Sequence, residues 1–273
     1  MKRLLCLIII ITICCSALIQ QKKTWVAIGD SITYLNDHPE QTGNRVKKGY
    51  LTRVTEQLPE LSVINQGHNG WTSGDIAARI DSLGLVKADV YSVFLGTNDW
   101  WRGRPLGSPS DYKNNTGNGT VHGSFRIIIN KLRALNPEAE IILITPLQRS
   151  DFVYINNGKN NAWGSYKAKN DQTLKQFADA IAAIGRSEKI KVVDLYNKSN
   201  INQKNLVRFK RLKDPNTGEY KNYNYPAFTT IPYNPETDEY PYPPDAVDMT
   251  YDGLHPSDKG NEVIAKMLVR KMK

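Results

Sequence analysis

Cysteine disappears from this 273-residue chain after position 15: Cys6, Cys14 and Cys15 are its only three. The body of the chain therefore has no disulfide, no thiol nucleophile and no Cys-based zinc site. Histidine is scarce as well, with four residues. A two-metal phosphoesterase needs clustered His and Asp, and Asp30, Asp99, His68, His122 and His255 do not supply its Asp-x-His opening. Long apolar runs are missing, so no membrane span is expected in the mature chain; a span needs about 20 such residues. There is no internal repeat and no nucleic-acid-binding module.

The one apolar run at the start is short. Lys2 and Arg3 precede apolar residues 4–13, and small residues Cys15 and Ala17 follow. That pattern predicts a secretory signal over residues 1–17, cut after Ala17. A lipid anchor on Cys14 or Cys15 is the alternative. The expected location is periplasmic or secreted, or lipid-anchored at the cell envelope. The net charge of +9 is spread along the chain. Its densest run, residues 208–213, suits either a solvated face or contact with an acidic polysaccharide.

Apolar β-type runs alternate with helical spacing. Strands are expected at 24–28, 61–64, 88–95, 140–144 and 190–195. Helices are expected at 46–58, 73–83 (N-capped by Ser73), 123–135, 168–184 (closed by Gly185) and 257–272. Strands separated by helices argue for a parallel five-stranded sheet in a three-layer α/β/α sandwich. Residues 24–273 read as a single domain, with a Tyr/Pro-rich insertion at about 200–249. Ligands in such folds bind outside the carboxyl ends of the strands.

Four strand-end or turn blocks carry candidate chemistry. The first strand runs into Gly29-Asp30-Ser31, where Ser31 can serve as a nucleophile or simply occupy a turn. The second runs into Asn65-Gln66-Gly67-His68-Asn69-Gly70, and the Gly70 N–H can face a developing oxyanion. The third runs into Gly96-Thr97-Asn98-Asp99, where the Asn98 amide can do the same. The last is Asp252-Gly253-Leu254-His255: His255 can take the serine proton while Asp252 fixes its tautomer. Asp30 and Asp99 read as turn-stabilising residues, and His122 as a solvent-facing residue at a helix start.

These four blocks, in this order, resemble the SGNH hydrolases, also called GDSL esterases and lipases. The resemblance spans nearly all of the chain from Thr24 onward; Ile32 stands where many members have leucine. It implies a flavodoxin-like α/β/α fold. It implies a Ser31, Asp252, His255 triad and an oxyanion hole of the Ser31 N–H, the Gly70 N–H and the Asn98 side chain. The implied reaction is ester hydrolysis through an acyl-enzyme on Ser31, with no metal and no organic cofactor.

The substrate is less legible. His68, Trp71, Trp100 and Trp101 lie near the same strand ends and are candidate substrate contacts. Polar, Asn-rich loops at 114–118 and 156–161 favour a carbohydrate deacetylase over a lipase or lysophospholipase. The Tyr/Pro-rich segment is expected either to wall the pocket or to pack on itself. A non-catalytic glycan-binding protein is the alternative from another class.

Overall fold

A computed structural model describes residues 22–273. The expected leader at 1–17, with Cys14 and Cys15, lies outside the described residues. The elements in chain order are β1 (Lys23–Gly29), α1 (Ser31–Tyr34), α2 (Tyr50–Gln57), β2 (Leu61–Gly67), α3 (Ser73–Arg79), β3 (Val90–Phe94), α4 (Thr97–Trp101), α5 (Pro109–Lys113) and α6 (Val121–Leu135). They continue with β4 (Glu140–Ile144), β5 (Phe152–Tyr154), β6 (Asn157–Ala162), α7 (Leu174–Ser187), β7 (Lys191–Val193), α8 (Leu195–Lys198), β8 (Lys210–Lys213), β9 (Tyr220–Tyr223) and α9 (Asp258–Met272).

The main sheet is parallel throughout, in the order β2-β1-β3-β4-β7. Side chains alternate across its pleat. Val26 and Ile28 of β1 join Tyr91 and Val93 of β3 under one helix layer, α3, α6 and α7. Trp25 and Ala27 point the other way and pack with Val90 and Phe94 against α2 and α9. Both faces are thus covered, which is why the strands read as apolar runs rather than as alternating patterns. The expected three-layer α/β/α sandwich with five parallel strands is the observed fold.

Several boundaries differ from expectation for local reasons. The helix expected from 46 starts at Tyr50, after Gly49. The helix expected over 73–83 ends at Arg79, and its N-cap is Thr72 rather than Ser73. Thr72 Oγ1 accepts the Asp75 N–H while the Asp75 carboxylate accepts the Thr72 N–H, each at 3.0 Å. The helix expected from 168 starts at Leu174, capped by Thr173. Gly185 does not close it; the backbone stays helical to Ser187, and the left-handed turn falls on Lys189 (φ +57°).

The sequence reading missed two antiparallel hairpins, β5–β6 and β8–β9. The second lies in the Tyr/Pro-rich segment, which packs on itself around Leu212, Phe228 and Tyr242. Within the basic run, Lys210 is buried rather than solvated. Among the described residues, no helix is long and apolar enough to cross a membrane.

Candidate active site

The strand order reverses between β1 and β3, so their carboxyl ends splay and leave a crevice. Ser31 follows β1 and Asn98 follows β3, one on each side of it. Asp30 caps α1 by accepting the Ile32 N–H at 3.0 Å. This holds Ser31 at the first helical position, where an N–H has no intrahelical acceptor. Neither the Ser31 N–H nor the Gly70 N–H has an acceptor among the described residues. Gly70 sits in the left-handed region at φ +72°, and its carbonyl accepts from Arg102 Nη2 at 2.7 Å. One Asn98 amide hydrogen goes to the Trp71 carbonyl at 3.0 Å, which fixes the side chain and leaves the other hydrogen unpaired.

The distant Asp252–His255 turn completes the group. His255 Nε2 lies 2.8 Å from Ser31 Oγ, and His255 Nδ1 lies 2.7 Å from Asp252 Oδ2. Ionised Asp252 can only accept, so Nδ1 carries the proton and Nε2 is free to accept from the serine. Asp252 Oδ1 also accepts the N–H groups of Leu254 and His255. Both residues are buried, and Phe152 meets the imidazole edge-on at 5.3 Å. The turn depends on Gly253, whose φ is +88°. A Cβ there would fall 1.9 Å from the Asp151 carbonyl oxygen. Backbone bonds from Ser150 N–H to the Gly253 carbonyl (2.8 Å) and from Val153 N–H to the Asp252 carbonyl (3.2 Å) staple the turn to the strap after β4.

Ser31, Gly70, Asn98 and His255 line one cavity of about 490 Å³. Of the four proposed substrate contacts, only Trp101 lines it. Trp100 is fully buried in the core, with its indole N–H donating to the Gln172 carbonyl at 3.0 Å. His68 and Trp71 stack on each other at 4.2 Å outside the cavity, and burial lowers the His68 pKa. His122 is buried within α6, not solvent-facing, and burial lowers its pKa too. The wall that the Tyr/Pro-rich segment was a candidate to build comes instead from β5 and β6, through Phe152, Tyr154, Asn160 and Asn161. Arg149 also lines the cavity. The sequence reading missed it because an arginine after a strand has no distinguishing local signal.

Two carboxylates brace the site. Burial raises Asp30 to about 6, against the Ile32 N–H and the nearby His255, which both lower it. Burial likewise raises Asp99, which accepts from Ser73 N–H (2.9 Å) and Ser73 Oγ (2.7 Å) and so ties α4 to α3.

No curated protein matches the chain. Solved structures do. A possible lipase from Chitinophaga pinensis DSM 2588 is 67 % identical, with a TM-score of 0.90 over 91 % of this chain and 97 % of its own. A lipase/acylhydrolase from Enterococcus faecalis shares the fold at 20 % identity and a TM-score of 0.51, over 92 % and 95 %. An acetyl xylan esterase does so at 19 % and 0.52, over 90 % and 97 %. The model of the GDSL-like lipase/acylhydrolase family matches residues 27–263. With the fold and the strand-end site already described, the chain belongs to that family, whose members are ester hydrolases.

Proposed function

We propose that the protein is an exported serine esterase that removes acetyl groups from carbohydrate. The observation that carries the chemistry is the line from Asp252 through His255 to Ser31, at 2.7 and 2.8 Å. A serine hydroxyl is a weak nucleophile until a base removes its proton. His255 takes that proton as Ser31 Oγ attacks the ester carbonyl. The Ser31 N–H, the Gly70 N–H and the free Asn98 amide hydrogen stabilise the oxyanion of the tetrahedral intermediate. Collapse expels the alcohol, protonated by His255, and leaves an acyl group on Ser31. Water, deprotonated by His255, then releases the acid and restores the hydroxyl. Asp252 keeps the imidazole in the required tautomer and stabilises its charged form.

The carbohydrate reading rests on the cavity wall. Gln41, Asn69, Asn160 and Asn161 offer amides suited to sugar hydroxyls, and Trp101 and Tyr154 offer flat faces. The leader-like pattern over residues 1–17 supports export. The test measures hydrolysis of acetylated xylan, acetylated pectin and nitrophenyl esters of rising chain length. Ser31→Ala should lower kcat at least about a thousandfold. Unchanged hydrolysis in that variant would remove the enzyme assignment. Preference for long acyl chains would overturn deacetylation in favour of a lipase.

A further inference from the structure

Arg149 is the most deeply buried cation at the site. It is 1 % exposed yet borders the catalytic cavity. A buried guanidinium ordinarily comes with a carboxylate partner. Arg149 has none: it forms no ion pair among the described residues. The carboxylates that feel its charge most, Asp151 and Asp252, are engaged by Lys210 at 2.5 Å and by His255 at 2.7 Å. Its own bonds are long, from Nε to the Ser150 carbonyl at 3.5 Å and from Nη2 to the Ala162 carbonyl at 3.3 Å. Nη1 has no acceptor among the described residues. The head is packed 5.7 Å from the ring centres of both Trp100 and Trp101. Burial lowers its pKa only to about 10, so it stays charged at neutral pH.

The rest of the lining has the same sign. Arg102 borders the cavity from its rim, partly satisfied by the Gly70 carbonyl and Asp75. No aspartate or glutamate among the described residues lines the cavity. A fixed, dehydrated guanidinium with a vacant donor is the usual protein receptor for a carboxylate.

We infer that the cavity selects esters bearing a carboxylate, which Arg149 receives while Ser31 attacks the ester carbonyl. This deepens the proposed function and rests on Ser31 being the nucleophile. The carboxylate has two possible sources, the acyl part or the alcohol part, the latter as in an acetylated uronate.

Two substrate pairs separate these sources. On the acyl side, the mono-4-nitrophenyl ester of adipate is compared with its neutral methyl ester. On the alcohol side, 4-acetoxybenzoate is compared with 4-acetoxybenzamide. The wild type should favour the charged member of one pair in kcat/KM by about ten- to a hundredfold. Arg149→Gln should abolish that preference, read as the ratio of charged to neutral member within the variant, and Arg149→Lys should restore part of it. Free adipate or 4-hydroxybenzoate should competitively inhibit the unmodified enzyme better than the matching amide, a readout that needs no variant. The idea is overturned if the wild type prefers the charged member of neither pair, or if Arg149→Gln lowers both members equally. Failure of the nucleophile assignment would look different: Ser31→Ala would keep its activity on the neutral esters.

Discussion

Asn98 and Asp30 sit beside the same serine and answer to different forces. Asn98 has one amide hydrogen committed to Trp71 and one to spare. In the proposed mechanism its worth lies in a charge that exists only during reaction, so Asn98→Ala should lower kcat by about 100- to 1,000-fold with little change in KM or unfolding midpoint. Asp30 acts on stability. Its carboxyl titrates at about 6 in the folded chain, above its ordinary 3.8, because it is buried. The folded state therefore holds this proton more tightly than the unfolded state does. The resulting stabilisation is complete below about pH 3.8 and is lost as pH rises through about 6. Asp30→Asn keeps an oxygen for the Ile32 N–H and removes the buried charge. Denaturant unfolding should show it more stable than wild type by up to about 3 kcal/mol at pH 7.5, and no more stable at pH 3.5.

Elements differ in how plainly the sequence announces them. The three central strands, β1, β3 and β4, are legible because both sheet faces are covered there, so runs such as Glu140–Ile144 are nearly all apolar. Their ends are legible because Gly, Asn and Ser cluster there. β6 is illegible for the opposite reason. Asn157–Ala162 is polar on nearly every residue and exposed along most of its length, and only its pairing with β5 makes it a strand. The site followed the same division. Ser31, Gly70, Asn98, Asp252 and His255 stand at strand ends or in a glycine turn, and position alone brings them forward as candidates. Trp100 occupies a similar position, yet the short helix α4 turns it into the core, and no local pattern gives that direction. α9 offers a test at this scale. Leu268 is fully buried where α9 covers the sheet. Leu268→Ala should cost about 2–5 kcal/mol in denaturant unfolding and leave kcat nearly unchanged at temperatures where the variant stays folded.

Across the whole molecule, the Tyr/Pro-rich segment meets the strap beside the site through the ion pair of buried Lys210 with Asp151 and through tyrosine hydroxyls. Lys210 Nζ holds Asp151 Oδ2 at 2.5 Å, and the Tyr166 hydroxyl donates to the other oxygen. Burial pushes the Asp151 carboxyl up, but the Lys210 ammonium and these hydrogen bonds outweigh it and hold it below its ordinary value. The Asp151 carbonyl in turn accepts from Tyr242 and abuts Gly253 in the Asp252–His255 turn. Lys210→Met would strand a largely buried carboxylate. It should destabilise the chain by about 3–5 kcal/mol at pH 7 and lower kcat, with the stability loss shrinking toward about pH 4 as Asp151 takes up a proton. Unfolding curves at the two pH values, read beside initial rates, test both effects.

Ser31 and His255 are separated by 224 positions and are brought together by the docking of the Asp252–His255 turn on the strap after β4. In the proposed mechanism, reactivity is therefore a property of the finished fold. A chain that stops short of residue 252 has Ser31 without the imidazole that faces it. On the proposed mechanism, the fraction of molecules that a serine-directed phosphonate labels counts native chains one by one.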